Sequence, residues 1–131
     1  MRPYKLAALP VILALASCAP VPTAGDAARQ TAARPCFYPQ QVTNFRHNGT
    51  TQSLYLKVGA GETYQLRTSG FCRGLDNAIG LAILPEVGGR LCAGDWAKIA
   101  VGGMTPETCR VQVVKRLNAE EIAALPSRDR P

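Results

Sequence analysis

Five cysteines, one histidine, one tryptophan and a thin scatter of carboxylates are the side chains here that could do more than pack. Four of the cysteines, Cys36, Cys72, Cys92 and Cys109, stand 36, 20 and 17 residues apart. Zinc sites bring their ligands in close pairs. This chain has no CxxC and a single histidine, so no metal is expected. In an oxidising compartment four such thiols form disulfides instead. Of the three pairings open to four cysteines, Cys72–Cys92 with Cys36–Cys109 is favoured. The first would join neighbouring strand regions, and the second would tie the start of the domain to its last strand. A hydrolytic site would need His47, which adjoins the turn dipeptide Asn48-Gly49 and reads as a solvated turn residue. Ser53 and Ser69 sit in no GxSxG elbow, and Asp76, Glu86 and Asp95 form no carboxylate pair in the sequence. Asn48-Gly49-Thr50 matches the glycosylation triplet but is better explained as a turn. Gly59-Ala60-Gly61 is not followed by the helix that a phosphate loop requires. No catalytic constellation and no cofactor are expected. Ala93-Gly94-Asp95-Trp96 remains, a tight turn leading into the only tryptophan. It reads either as a turn before a core aromatic or as a partner patch formed by Asp95 and Trp96, since tryptophan is enriched among interface hot spots.

The fifth cysteine has a different setting. Arg2 and Lys5 precede the apolar run Leu6 to Leu15, which is followed by Ala16-Ser17, the three parts of an export signal over residues 1–17. The run falls well short of the roughly 20 apolar residues that span a bilayer. Leu15-Ala16-Ser17-Cys18 is similar to a lipobox. In that motif small residues fit the peptidase pocket and the thiol of the cysteine accepts a diacylglyceryl group. Cysteine parity agrees, because removing Cys18 leaves an even four. One acyl chain binds a membrane only marginally, whereas two or three make a lasting anchor. Ala19 stands where lipoproteins kept at the inner membrane resemble one another in carrying Asp, which points to the outer membrane.

These groups must be positioned by a small domain. Residues 19–35, rich in Ala, Pro and Thr, cannot bury a core and read, with the lipidated Cys18, as a flexible tether over 18–35. Residues 126–131, charged and bounded by prolines, read as a disordered tail. The segment between, 36–125, has a dominant period of two. Leu54, Leu56 and Val58 share one face, and Tyr64 with Leu66 resumes the alternation after the Gly59–Glu62 turn, a hairpin signal. Further strands are expected over 41–47, 78–84, 90–93, 97–101 and 109–116. The expected fold is therefore mainly β: a small antiparallel sheet, sandwich or partly open barrel of six or seven short strands with two disulfides. One short C-terminal helix closes it, capped by Asn118 with Glu121 three residues on, stapled by Leu117 and Ile122 and stopped by Pro126. Ile122 and Leu125 would face the sheet.

The formal charge of +6 is concentrated outside this domain, where nine basic residues meet seven acidic ones over 36–125. No basic face for nucleic acid is visible. Cys36-Phe37-Tyr38-Pro39 with Val42, Tyr55-Leu56-Lys57-Val58, Tyr64-Gln65-Leu66, and Cys72 with Leu75 carry a resemblance, continued by Cys92-Ala93-Gly94-Asp95, Cys109-Arg110-Val111 and Leu117 to Ile122. Over residues 36–125 the chain resembles an uncharacterised family of small bacterial envelope lipoproteins, defined as a domain of unknown function. Asn118 stands where similar sequences carry Thr, a swap that keeps the capping role. The resemblance implies an address and a cysteine framework, and no catalytic or binding residues. The sequence thus leads to the expectation of a lipid-anchored, non-catalytic accessory or protein-interaction module at the periplasmic face of the outer membrane. Its partners would be the membrane, through the lipid, and an envelope protein of unknown identity. The alternative is a periplasmic small-ligand binding module. Cys18→Ala is expected to abolish acylation and either release the protein from membranes or leave its precursor uncleaved. Mass spectrometry of an unmodified Cys18 in mature, membrane-free wild-type protein would overturn the lipid assignment.

Overall fold

The computed structural model describes residues 33–103 and 106–131. The export signal 1–17, Cys18 and tether residues 19–32 lie outside the described residues. The alternating runs form eight strands: β1 (Cys36–Phe37), β2 (Val42–Asn48), β3 (Ser53–Val58), β4 (Glu62–Thr68), β5 (Gly80–Pro85), β6 (Leu91–Cys92), β7 (Trp96–Gly102) and β8 (Glu107–Leu117). Six of them make one antiparallel sheet in the order β2-β3-β4-β8-β7-β5, curled into a half-barrel, and β1 pairs with β6 in a second, two-stranded sheet. Two register shifts, at Val42/Asn44 and at Gln65/Leu66, mark irregularities of the kind that increase local twist and bend a sheet. The β3–β4 connection turns through Gly59 at φ +55°, a conformation costly for a residue with a Cβ.

The period-two pattern fixes which side chains meet. Leu54, Leu56 and Val58 from β3, Tyr64 and Leu66 from β4, Ala97, Ile99 and Val101 from β7, and Val111 and Val113 from β8 are all buried in one cluster. Leu81 and Ile83 of β5 pack against it, half-buried. Phe37 and Leu91 join it from the small sheet. Each fully buried aliphatic side chain contributes roughly 1.5–3 kcal/mol by leaving water.

The four domain cysteines form two disulfides, with a connectivity that differs from the expected one. Cys36 is bonded to Cys92, and Cys72 to Cys109. The expected Cys72–Cys92 bridge treated consecutive strand regions as spatial neighbours. In the sheet, β8 lies between β4 and β7, so the loop after β4 runs beside the start of β8. Thr68 pairs with Val111, which brings Cys72 near Cys109. Cys36 instead lies opposite Cys92 in the register of β1 with β6.

The chain ends with a short helix, α1 (Ala119–Ala124). Asn118 caps it as expected: its side chain accepts the Glu121 amide at 2.8 Å, and the Glu121 carboxylate accepts the Asn118 amide at 2.9 Å. Lys115 donates to the same carboxylate, and that bond, ahead of the Asn118 amide, holds the Glu121 carboxyl below its usual range. Ile122 and Leu125 are half-buried. Residues 126–131 are not the disordered tail that their composition implied. Ser127–Asp129 form a 3-10 turn against β2. The buried Asp129 carboxylate accepts the Asn48 side-chain amide at 2.8 Å. Arg130 donates to the carbonyls of Leu125 and Ala123 at 2.9 and 2.7 Å, satisfying acceptors that a helix end leaves open. The charges that read as solvated are used on specific partners.

The bridges close separations of 56 and 37 residues, for which loop entropy gives about 4 kcal/mol each. Net stability for a domain of this size is about 5–15 kcal/mol. Even at half that entropy, full reduction is expected to lower the melting temperature by more than about 10 °C. Non-reducing peptide mapping should recover Cys36 joined to Cys92 and Cys72 to Cys109. A fragment joining Cys72 to Cys92, or a reduced domain melting within a few degrees of the oxidised one, would contradict this structure of the core.

Candidate functional site

The Asp95–Trp96 segment is built on a turn that is bonded on three sides. Gly94 takes φ +95° and donates its amide to Val113 O at 2.7 Å, while the Val113 amide returns to Asp95 O at 2.9 Å. The turn is thereby stitched to β8. The Asp95 carboxylate accepts the Cys92 amide at 2.9 Å through Oδ2 and the Arg34 guanidinium at 3.3 Å through Oδ1. Arg34 also donates to Ala93 O at 3.1 Å, and the Ala93 amide donates to Pro35 O at 3.0 Å. The segment entering the domain is thus held by the turn that presents Trp96.

Trp96 opens β7. Ala97, Ile99 and Val101 point into the core, so Trp96 and Lys98 face outward. It is half-exposed and lies outside the buried core, which corrects the core-aromatic reading. The guanidinium of Arg110, on the same outer face of β8, sits 4.7 Å from the Trp96 ring centroid. Arg110 also donates from Nε and Nη2 to the two Glu86 carboxylate oxygens at 2.7 and 3.0 Å, a forked pair. Those bonds to Arg110 hold the Glu86 carboxyl below its usual range and raise the already high pKa of Arg110. Glu86, Arg110 and Trp96 therefore form a fixed stack beside a cleft of about 500 Å3, whose walls include Arg34, Arg90, Val87 and Asp95. Arg90 has no ion pair among the described residues. Of this stack the sequence singled out only Trp96. Glu86 read as a scattered surface charge and Arg110 as an ordinary strand position, because their meeting depends on the registers of β5 with β7 and of β7 with β8.

His47 is placed differently from expectation. It lies within β2, opposite Leu54. Its side chain is only 5% exposed, and Nδ1 is 2.8 Å from Asp76 Oδ1. The strand runs to Asn48, one residue beyond the expected 41–47, so His47 is a paired interior position of β2 and not a solvated residue at its end. Asn48 keeps the turn role, its side-chain oxygen accepting the amides of Thr50 and Thr51. A His–Asp pair orients an imidazole, but a nucleophilic site needs a hydroxyl or thiol against it. The Ser53 hydroxyl is directed to Thr51 O, and the Thr68 hydroxyl to Gln52 O. Glu107 stands beside Cys72 and Cys109, and its carboxylate accepts the Gly74 amide at 2.7 Å. Both sulfurs there are committed to the disulfide, so the group offers no thiolate ligands. Among the described residues no helix is long and apolar enough to cross a membrane.

The family of unknown function DUF6491 matches residues 1–130 of the chain. Neither the curated proteins nor the solved structures provide a match.

The Arg110–Glu86 pair has a definite pH signature. A carboxyl whose folded pKa is depressed stabilises the fold above its unfolded pKa, and that contribution disappears as pH falls through the folded value. Arg110→Gln should return the Glu86 titration, followed by NMR, towards the usual carboxylate range. The stability gap between Arg110→Gln and wild type should be constant above that range and shrink below it. A Glu86 titration unmoved by the substitution would refute the pairing.

Proposed function

Because the chain belongs to DUF6491, a family of unknown function, its role must come from its own residues, and we propose a lipid-anchored envelope protein that works as a non-catalytic accessory or interaction module at the periplasmic face of the outer membrane. The observation that carries the interaction reading is the Glu86–Arg110–Trp96 stack at the rim of the Arg34/Arg90 cleft. A tryptophan and an arginine fixed in advance contribute contact area without a large ordering cost on binding, and these two residue types dominate interface hot spots. The anchor is supported by the lipobox-like Leu15-Ala16-Ser17-Cys18 and by cysteine accounting: the two bridges engage the other four cysteines and leave Cys18 outside them. The second reading, a small-ligand module, is favoured by the size of the cleft, which falls in the range of small-molecule sites.

Pull-down from crosslinked membranes with the full-length chain separates the two. The interaction reading expects an envelope protein whose recovery drops by at least about tenfold in Trp96→Ala, the scale of a lost hot spot. A small molecule that co-purifies in place of a protein, and is lost in the same variant, transfers the assignment to ligand binding. Identical recovery from wild type and Trp96→Ala removes Trp96 from the function.

A further inference from the structure

The β5 edge of the sheet has features that the stack does not use. Among the described residues β5 pairs only with β7. Gly80 to Pro85 carries no charge, and edge strands without charges are the ones that accept another strand. Its bonding parity follows from the Glu86 amide, which donates to Trp96 O across the ladder. Antiparallel bonding alternates, so Ala82 and Leu84 are the positions bonded to β7, while Leu81, Ile83 and Pro85 turn their backbone groups outward. A proline at an outward position removes no ladder bond, which agrees with Pro85 falling there. The Leu81 and Ile83 amides and carbonyls then form a short row of donors and acceptors along the edge. The 3-10 turn Pro39–Gln41 approaches β5, but its own backbone bonds run to Tyr38, Val42 and Gly59. Exposed apolar side chains flank the row: Ile79 is 89% exposed, Leu84 53% and Val87 85%. Past Pro85 the chain becomes Glu86–Gly88, a wall of the Trp96 cleft, where Arg90 has no carboxylate partner among the described residues.

From this continuity we propose that β5 is a strand-addition site for an extended segment of a partner protein, paired antiparallel along Leu81 and Ile83, with an acidic residue at its N-terminal end reaching Arg90. The backbone row dictates an extended occupant, the uncharged edge selects apolar or neutral side chains beside it, and Arg90 supplies charge complementarity at one end. The inference rests on the interaction reading above and names the kind of segment that would be recognised.

The test uses the folded protein with a short synthetic peptide of alternating valine and threonine led by glutamates. Amide hydrogen exchange should show Leu81 and Ile83 exchanging faster than the β7 amides in the free protein and becoming protected when the peptide is added. Arg90→Glu should weaken the peptide by about tenfold, the scale of a reversed charge at a formed contact, and Leu84→Lys, at an exposed position, should weaken it while leaving the melting temperature unchanged. Leu81 and Ile83 amides already as protected as those of β7 in a monomer would overturn the proposal. The same protection accompanied by a dimer in sedimentation would also overturn it, assigning the edge to a second copy. A partner captured through Trp96 that leaves these two amides unprotected would overturn the strand-addition site and leave the interaction reading standing.

Discussion

Tyr64 donates its hydroxyl to the carbonyl of Cys36 at 3.1 Å from a side chain with no exposed surface. Its ring lies 4.6 Å from that of Phe37. Burial, more than the neighbouring Glu62 carboxylate, pushes the phenol pKa up, so the proton that makes this bond stays in place. The bond joins the middle of the large sheet to the first strand of the small one. A two-residue pairing such as β1 with β6 cannot hold itself together in water. It persists because Tyr64 holds its carbonyl, Phe37 and Leu91 sit in the common core, and Cys36–Cys92 closes it covalently. The Asp95 turn, and with it the placement of Trp96, is built directly on that pairing.

Much of the fold was legible because the side-chain period is two and each inward residue is apolar. Leu54, Leu56 and Val58, Tyr64 and Leu66, and Val111 and Val113 all occupy the face that their alternation assigns. The Asn118–Glu121 box was legible because both partners lie within one turn of chain. The half-barrel belongs to the range of architectures that the strand count allowed. What sequence proximity could not give is the order of strands. Placing β8 between β4 and β7 is a long-range choice, and it decides the disulfide connectivity. The ordered C-terminus was missed for a related reason: Pro126 to Pro131 has a tail's composition, yet Asp129 finds Asn48, 81 positions earlier.

The candidate site divides along the same line. Gly94 and Asp95 mark a turn by their own conformational preferences, so that part could be read locally. The Arg110–Glu86 fork crosses from β8 to the end of β5 and exists only in the finished sheet. His47 shows the converse error. Its neighbours Asn48 and Gly49 are turn residues, but pairing with Leu54 holds His47 within the strand, where its ring meets a carboxylate from the 3-10 helix Arg73–Asn77.

The position of the Cys36–Cys92 bridge also determines how the domain bears mechanical load. Any pull delivered through the residues that precede Cys36 first meets the Arg34 and Pro35 hydrogen bonds to the 93–95 turn, which can break and re-form singly. The next element in line is a covalent bond. Tension is then carried across sulfur to Cys92 instead of unzipping β1 residue by residue, and it enters the sheet through the Asp95 turn and its two bonds to Val113 of β8. With the bridge intact Cys36 cannot part from Cys92; once it is reduced, a two-residue pairing, the Tyr64 bond and the burial of Phe37 are what hold β1 against the same pull.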